Sequence, residues 1–523
     1  MKKFNYTKGV LFLILISTII RVVLALTLEL GQEEAYYWTF ALYPELSNFD
    51  QPPMIGWFIQ LFTNNLYFNG EFFLRLASII SGSASLWIVF IIGRRVKGES
   101  AGFYSALLFS SSFYLTVISG VLILPEAPQT LFYLLSLYFL IEGIIQRDQN
   151  CEESRFICRV ALIMAGVFIG MAMLSKFSSI LLWLGVFIYA LFYNRSLFKK
   201  GELYLSFFIS LLFLIPVYIW NFRNSFIGID YLSGLTHLSQ GFSLKTFLQA
   251  LYIPFLLNNP INIFIILVSL NYYRIKHYIT DSYISLLLSL SIPVILVSIV
   301  FSAFSESFIY AISLGVSPLI FLAGAYITTL VSERARGVLT QSLKYSVFFF
   351  LLVIILGTVH IYTGLFNTSF LLKNPDHKIG YNDITIDRFG WRRLSQEFGK
   401  IRELDIAMGK ISERSYILEF DHKAAAQSDY YLARPNKTIV KGIGSVEQIR
   451  KYAWITKKLG GIKIGESAYY IESSRGNNSA VEFGEKHFER VEKASVIYIK
   501  RMNKPVVRYS IYRFINLKEL PVS

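Results

Sequence analysis

The residues of this sequence best suited to chemistry are acids set against apolar, aromatic surroundings. Glu33 and Glu34 stand directly before Ala35-Tyr36-Tyr37-Trp38, and Glu126 stands between Pro125 and Pro128. A carboxylate beside an apolar run is partly desolvated, which raises its proton affinity toward that of a general base. A helix start would favour acids at the same places through its dipole alone. Asp50 opens Asp50-Gln51-Pro52-Pro53, a rigid turn whose acid is expected to N-cap the next helix. The remaining acids of this stretch, Glu29, Glu45 and Glu71, read as solvated loop charges. Lys176 lies in the tight turn Leu174-Ser175-Lys176-Phe177-Ser178, with Arg75 and Arg223 in comparable settings. Such cations either anchor at a membrane surface through their aliphatic stems or donate to a lipid phosphate. Proton abstraction beside a bound phosphate is the chemistry these residue types support.

The elements that must position them are membrane spans. Of the 523 residues, 54% are hydrophobic and 16% charged, against about 25% charged in a soluble protein. Apolar blocks recur near the ~20 residues that cross a bilayer as helix. Eleven are expected, at about 9–28, 71–93, 101–122, 127–146, 156–175, 177–194, 202–220, 246–273, 282–304, 309–331 and 343–363, the eighth interrupted by Asn259-Pro260. The first follows Lys2, Lys3 and Lys8 and reads as an uncleaved anchor. With the N-terminus inside, seventeen Lys and Arg fall in inner loops or the N-terminal segment. The outer loops keep Arg75, Lys176, Arg223 and Lys245. The net charge of +15 is therefore a topology signal plus a basic tail, not a nucleic-acid surface.

The first outer loop, about 29–71, carries six acids and no base. Two short interfacial helices are expected in it, Glu33–Tyr43 and Met54–Phe62, with Tyr36, Tyr37, Trp38, Tyr43 and Trp57 as headgroup anchors. Beyond residue 363 the hydrophobic blocks stop. Strands are expected at Ser415–Phe420 and Ser495–Lys500 and helices at Lys423–Leu432 and Val446–Leu459. The domains are thus a membrane domain over 1–363 and an extracytoplasmic α/β domain over 364–523. Cys151 and Cys158 read as free thiols. No P-loop, nucleophile elbow or zinc spacing occurs, and the six histidines are scattered, so a dedicated metal site is not supported and no cofactor is required, though the outer-loop carboxylates could share a divalent ion.

Four motifs in this order, Glu33-Glu34-Ala35-Tyr36-Tyr37-Trp38, Phe49-Asp50-Gln51-Pro52-Pro53-Met54, Leu124-Pro125-Glu126-Ala127-Pro128 and Leu174-Ser175-Lys176-Phe177, resemble bacterial glycosyltransferase family 39. This family includes relatives of the protein O-mannosyltransferases and the lipid A aminoarabinose transferase. The resemblance implies a polytopic GT-C fold with a small C-terminal extracytoplasmic domain, in the bacterial plasma membrane. It implies an inverting transfer from a polyprenyl-phosphate sugar such as an undecaprenyl donor to a hydroxyl or amine of a lipid, glycan or protein. Carried onto this sequence, it makes Glu33 the base, with Glu34, Glu126 and Asp50 also catalytic. The donor-phosphate residues are then the scarce outer cations, Lys176 first with Arg75 and Arg223 behind it, together with Gln51 of the second motif. The chain departs from the family at Glu33 and Glu126, where Asp is usual, and at Gln51, where a cation-capable residue is usual. The motif between the ninth and tenth spans is reduced to Phe304-Ser305-Glu306-Ser307-Phe308. A lipid-linked sugar transporter, or a catalytically weak relative acting as a binding partner, are the alternatives. Arg21, Glu142 and the Asn259-Pro260 break are what favour the transporter.

Overall fold

A computed structural model describes residues 5–145, 152–236, 241–305, 308–332, 337–366, 379–381, 383, 385–476 and 479–520. Cys151, Glu306 and Ser307 lie outside the described residues. The chain forms two compact units. One holds Met1–Leu26 with Pro44–Leu352, the other Thr27–Tyr43 with Val353–Ser523. The division differs from the expected one at residue 363, because Thr27–Tyr43 pack with the C-terminal residues.

The larger unit is a helical bundle whose surface suits lipid. On the helix Tyr6–Thr27, Phe12, Leu15, Ile19, Val23 and Leu26 are exposed, while Val10, Ser17, Arg21 and Leu24 are buried. The exposed set recurs every three or four residues and the buried set every three, four or seven, so one face meets the bundle and the other presents bare hydrocarbon. This is a multi-pass membrane protein. Each of the eleven expected blocks contains helix. Among the described residues, eight helices are long and apolar enough to cross a membrane, or nine counting the pair Leu244–Leu257 and Pro260–Tyr273, which meet at 93°.

The expected 101–122 span is where the block pattern and the backbone part company. Its helix, Glu99–Ser110, stops, and a π-helical turn follows at Tyr114–Ile118. The local cause is Ser110-Ser111-Ser112. The hydroxyls of Ser110 and Ser111 donate to the carbonyls of Leu107 and Leu108 (2.9 and 3.0 Å), and Leu115 N donates to the Ser112 hydroxyl. These local bonds compete with helix continuation. The 177–194 block is likewise short, a turn at Phe177–Ile180 leading into Leu181–Phe192.

Polar groups freed at these breaks are satisfied inside the bundle, as hydrocarbon surroundings require. Asn259 Nδ2 donates to the carbonyls of Ser111 and Ser346, and the Asn259 side chain accepts from Ile261 N at the start of the following helix. Asn262 and the Ser111 and Ser346 hydroxyls close the same network. Elsewhere Arg21, fully buried, donates to Thr116 O and the Ser83 hydroxyl. Its guanidinium fits only because two glycines flank it. A Cβ on Gly120 would stand 2.5 Å from Thr116 O and 2.7 Å from Arg21 Nε. Gly120→Ala is therefore expected to destabilise the bundle by about 1–3 kcal/mol, the usual cost of overpacking. A thermal-shift measurement in detergent checks this, and an unchanged melting temperature would show that Arg21 moves aside freely.

The smaller unit is built on a five-stranded sheet: β1 (Tyr416–Glu419), β2 (Val440–Gly442), β3 (Ala468–Ser473), β4 (Phe488–Arg501) and β5 (Lys504–Leu517), in the order β2-β1-β3-β5-β4. The first three are parallel neighbours, and β4–β5 is a hairpin closed through Met502 and Asn503, both at positive φ. Both expected strands are present, the second as part of a longer one. The two expected helices are each interrupted. His422–Gln427 widens into a π-helical turn at Ser428–Ala433, and the other breaks at Arg450 (φ 43°) into Val446–Ile449 and Tyr452–Lys458.

Glu419, at the end of β1, is buried. Burial pushes its carboxyl up to about 8, against the Ser428 hydroxyl that donates to it at 2.6 Å. The folded state then binds more protons than the unfolded state between about pH 4.5 and pH 8. The stability that Glu419 contributes to this unit falls as pH rises through that window and is level outside it. Glu419→Gln is expected to reduce the slope, leaving the part that buried Asp429, pushed up to about 6, contributes below that pH. Hydrogen exchange of Tyr416–Glu419 should match wild type near pH 5 and be slower than wild type above about pH 8. Equal protection at both would sink the assignment.

Candidate active site

Glu126 and Lys176, expected in separate roles, form an ion pair. Glu126 opens the helix Glu126–Ile144 behind Pro125, and Lys176 links the helix Glu152–Ser175 to the turn Phe177–Ile180. Lys176 Nζ lies 2.6 Å from Glu126 Oε1, with side chains 13% and 5% exposed, and sits 5.6 Å over the Tyr310 ring. Gln129, one turn beyond Glu126, donates to Ser178 Oγ (3.1 Å) and Ser179 Oγ (2.8 Å), clamping the same two segments together. The ammonium is thus neutralised by a buried carboxylate rather than held open at the interface.

Two other expected residues of this unit, Asp50 and Arg75, differ from expectation. Asp50 is buried but does not N-cap the helix Met54–Thr63, whose N-cap is Pro53 with no side-chain cap. The turn instead closes through Asn48 N to Gln51 O (3.2 Å), leaving the acid three residues short of the cap position. Arg75 is fully buried and donates to Ala25 O (3.1 Å), near the end of the first helix. That geometry suits a helix C-terminus and leaves none of its surface open to a lipid. Arg223 is exposed in the last turn of Ile215–Arg223, and Gln51 is half-buried.

In the smaller unit, Glu33 and Glu34 occupy the first turn of the helix Gln32–Leu42. Glu34 is fully buried. It accepts from Gly31 N at 3.1 Å and pairs with Arg388. A Cβ on Gly31 would stand 2.8 Å from the Arg388 guanidinium, so any larger residue here would have to displace that side chain. Glu33 keeps 44% of its side chain exposed and meets Lys423 Nζ at 2.7 Å. Glu29, expected to be a solvated charge, accepts from Trp391 N (2.8 Å) and Arg392 N (3.2 Å) and so caps the helix Trp391–Ala407. The aromatic run does not anchor in headgroups as expected. Tyr36 packs on His422 (ring centroids 4.8 Å) and Trp38 on Tyr430 (5.1 Å), while Arg434 lies 4.6 Å over Trp38 and Lys451 4.6 Å over Phe40. Ala35 through Ala41 are buried, so this helix is core of the C-terminal unit.

Residues 50–220 match the family described as dolichyl-phosphate-mannose-protein mannosyltransferase. A comparison with curated proteins finds no match. Among solved structures, the chain is similar to ArnT from Cupriavidus metallidurans bound to undecaprenyl phosphate, at 14% identity, covering 98% of this chain and 100% of that one, with a TM-score of 0.59. The apo state of that protein gives 14% identity, 98% and 99% coverage and a TM-score of 0.60. The chain has the GT-C fold. The loop motifs and the fold therefore agree, and the glycosyltransferase family 39 resemblance stands.

For this GT-C chain, the matched stretch contains Asp50, Gln51, Arg75, Glu126 and Lys176 but neither Glu33, Glu34 nor Arg223. Sequence reasoning missed Arg388 and Lys423, the partners of the first-loop acids. They lie more than 350 positions downstream, and no spacing rule connects them. It also missed Gln129, although its place one helical turn after Glu126 was visible. Among the described residues no group of three or more His, Cys, Asp or Glu is arranged to hold a metal ion. Cys158 is a buried free thiol.

Proposed function

We propose that this chain is an integral-membrane inverting glycosyltransferase. It moves a sugar from a polyprenyl phosphate to a hydroxyl or amine on the outer face of the bacterial plasma membrane. The proton leaves the acceptor for Glu33, the acceptor atom bonds to the anomeric carbon, and the C–O bond to phosphate breaks with its electrons retained by the phosphate. Such a leaving group needs no strong general acid, only compensation of its charge.

The carrying observation is the contrast among the acids. Glu34 and Glu126 are buried in ion pairs, whereas Glu33 is nearly half exposed at a helix start. It is the one of the three placed to meet an acceptor from solvent. Lys176 is the first candidate for the donor phosphate, exchanging Glu126 for it. Arg223, exposed, and Gln51 are secondary, and Arg75 would need to move. The test is direct: purified protein in lipid nanodiscs is given polyprenyl-phosphate sugars, and free polyprenyl phosphate is measured with and without extracts of envelope lipid, glycan and protein. No release with any combination would sink the reading.

The orientation rests on the loop cations, seventeen against four. A reporter fused after about residue 400 is expected to be active only outside the cytoplasm. Cytoplasmic activity of that fusion would reverse the face on which every residue above acts.

A further inference from the structure

We propose that Lys423 is a positioning residue for Glu33, holding the carboxylate of the proposed base in one orientation. The inference rests on the reading of Glu33 as the base and extends it to a residue in the C-terminal half of the chain. Glu33 has three rotatable side-chain bonds and a nearly half-exposed setting, so alone it would sample many rotamers. Lys423 Nζ, 2.7 Å from Glu33 Oε1, selects one.

The lysine is itself held. It lies in the first turn of the helix His422–Gln427, where Asp421 Oδ1 accepts from Lys423 N (2.8 Å) and Ala424 N (3.2 Å). The preceding His422 packs edge-on against Tyr36 at 4.8 Å, with its Nδ1 2.9 Å from Gln448 O. Tyr36 is three residues beyond Glu33 on the same helix, so its side chain and that of Glu33 share a face. Two contacts one turn apart, Glu33–Lys423 and Tyr36–His422, therefore dock the start of one helix on the start of the other. A surface-type ion pair adds little stability, about 0–1 kcal/mol. The effect to look for is therefore on rate.

Misplacement of a reacting group by ~1 Å can cost about 100-fold. Lys423→Ala is expected to lower kcat by about 10- to 100-fold, leave donor KM within about twofold and leave the melting temperature essentially unchanged. Lys423→Arg should recover part of the rate, since the charge survives with a different reach. In a Glu33→Gln background, Lys423→Ala should cost nothing further, because the carboxylate it orients is gone. A wild-type kcat for Lys423→Ala beside a crippled Glu33→Gln would overturn the inference and leave the base assignment standing. So would losses that multiply in the double variant. Wild-type turnover of Glu33→Gln would instead remove the base assignment itself.

Discussion

Glu33→Gln is expected to lose about 10²- to 10⁴-fold in turnover, the usual contribution of a positioned base. Gln keeps the shape and still accepts a hydrogen bond, but it cannot take the acceptor's proton. Folding should survive. Glu33 is half exposed, and its pair with Lys423 is of the kind that contributes little to stability. Glu33→Asp is the sharper variant, because it restores the residue usual in glycosyltransferase family 39. The carboxylate would then retract by one methylene from Lys423 Nζ, now at 2.7 Å. If the pocket is built for the longer side chain, Asp loses rate as any misplaced group does. Glu34→Gln makes the contrasting control. It breaks the pair that the fully buried Glu34 makes with Arg388, whose side chain is 23% exposed, so its main effect should be on folding. A Glu33→Gln enzyme with wild-type turnover on its true donor and acceptor would exclude Glu33 as the base.

Lys176→Ala is expected to destabilise the membrane unit by about 3–5 kcal/mol, because it strands the Glu126 carboxylate inside the bundle. The carboxylate is 5% exposed and its partner lies at 2.6 Å, so the pair is a buried one. A loss of donor binding in that variant would therefore be confounded with unfolding. The informative protein is the double variant Lys176→Met with Glu126→Gln, which removes both charges. It should fold close to normally, since replacing a buried pair with neutral groups is often nearly free. If Lys176 exchanges Glu126 for the donor phosphate, the double variant folds and its donor KM rises. If its donor KM is unchanged, Lys176 serves only to hold two helices together. A melting temperature for Lys176→Ala equal to wild type would show that the pair contributes nothing as a buried contact.

Much of the architecture followed from hydrophobic blocks. Twenty apolar residues have few alternatives to spanning a bilayer, and the Asn259-Pro260 break was visible because proline lacks the amide that a continuing helix needs. The two short helices of the first outer loop were legible too, as Gln32–Leu42 and Met54–Thr63. The halt at Ser110 was not. Serine hydroxyls bond to their own helix in many spans, and only the packing around Ser111, Asn262 and Ser346 settles that the helix ends.

Composition and local pattern determined what is local or one-dimensional: the membrane class, the cation asymmetry, the helix starts at Glu33 and Glu126, and the tail's change to strand and helix. The tertiary structure decided the partners. An aromatic run such as Ala35–Trp38 reads equally well as a membrane anchor or a protein core, because both remove the same rings from water. The packing of His422 and Tyr430 on Tyr36 and Trp38 decides for core. Four acids of similar local appearance diverge for the same reason. Glu29 caps a helix, Glu34 is sealed by Arg388, Glu126 is neutralised by Lys176, and Glu33 stays nearly half exposed beside Lys423. Charge energetics depend on burial and on what stands within about 4 Å, and those neighbours come from positions 50 to more than 350 residues away.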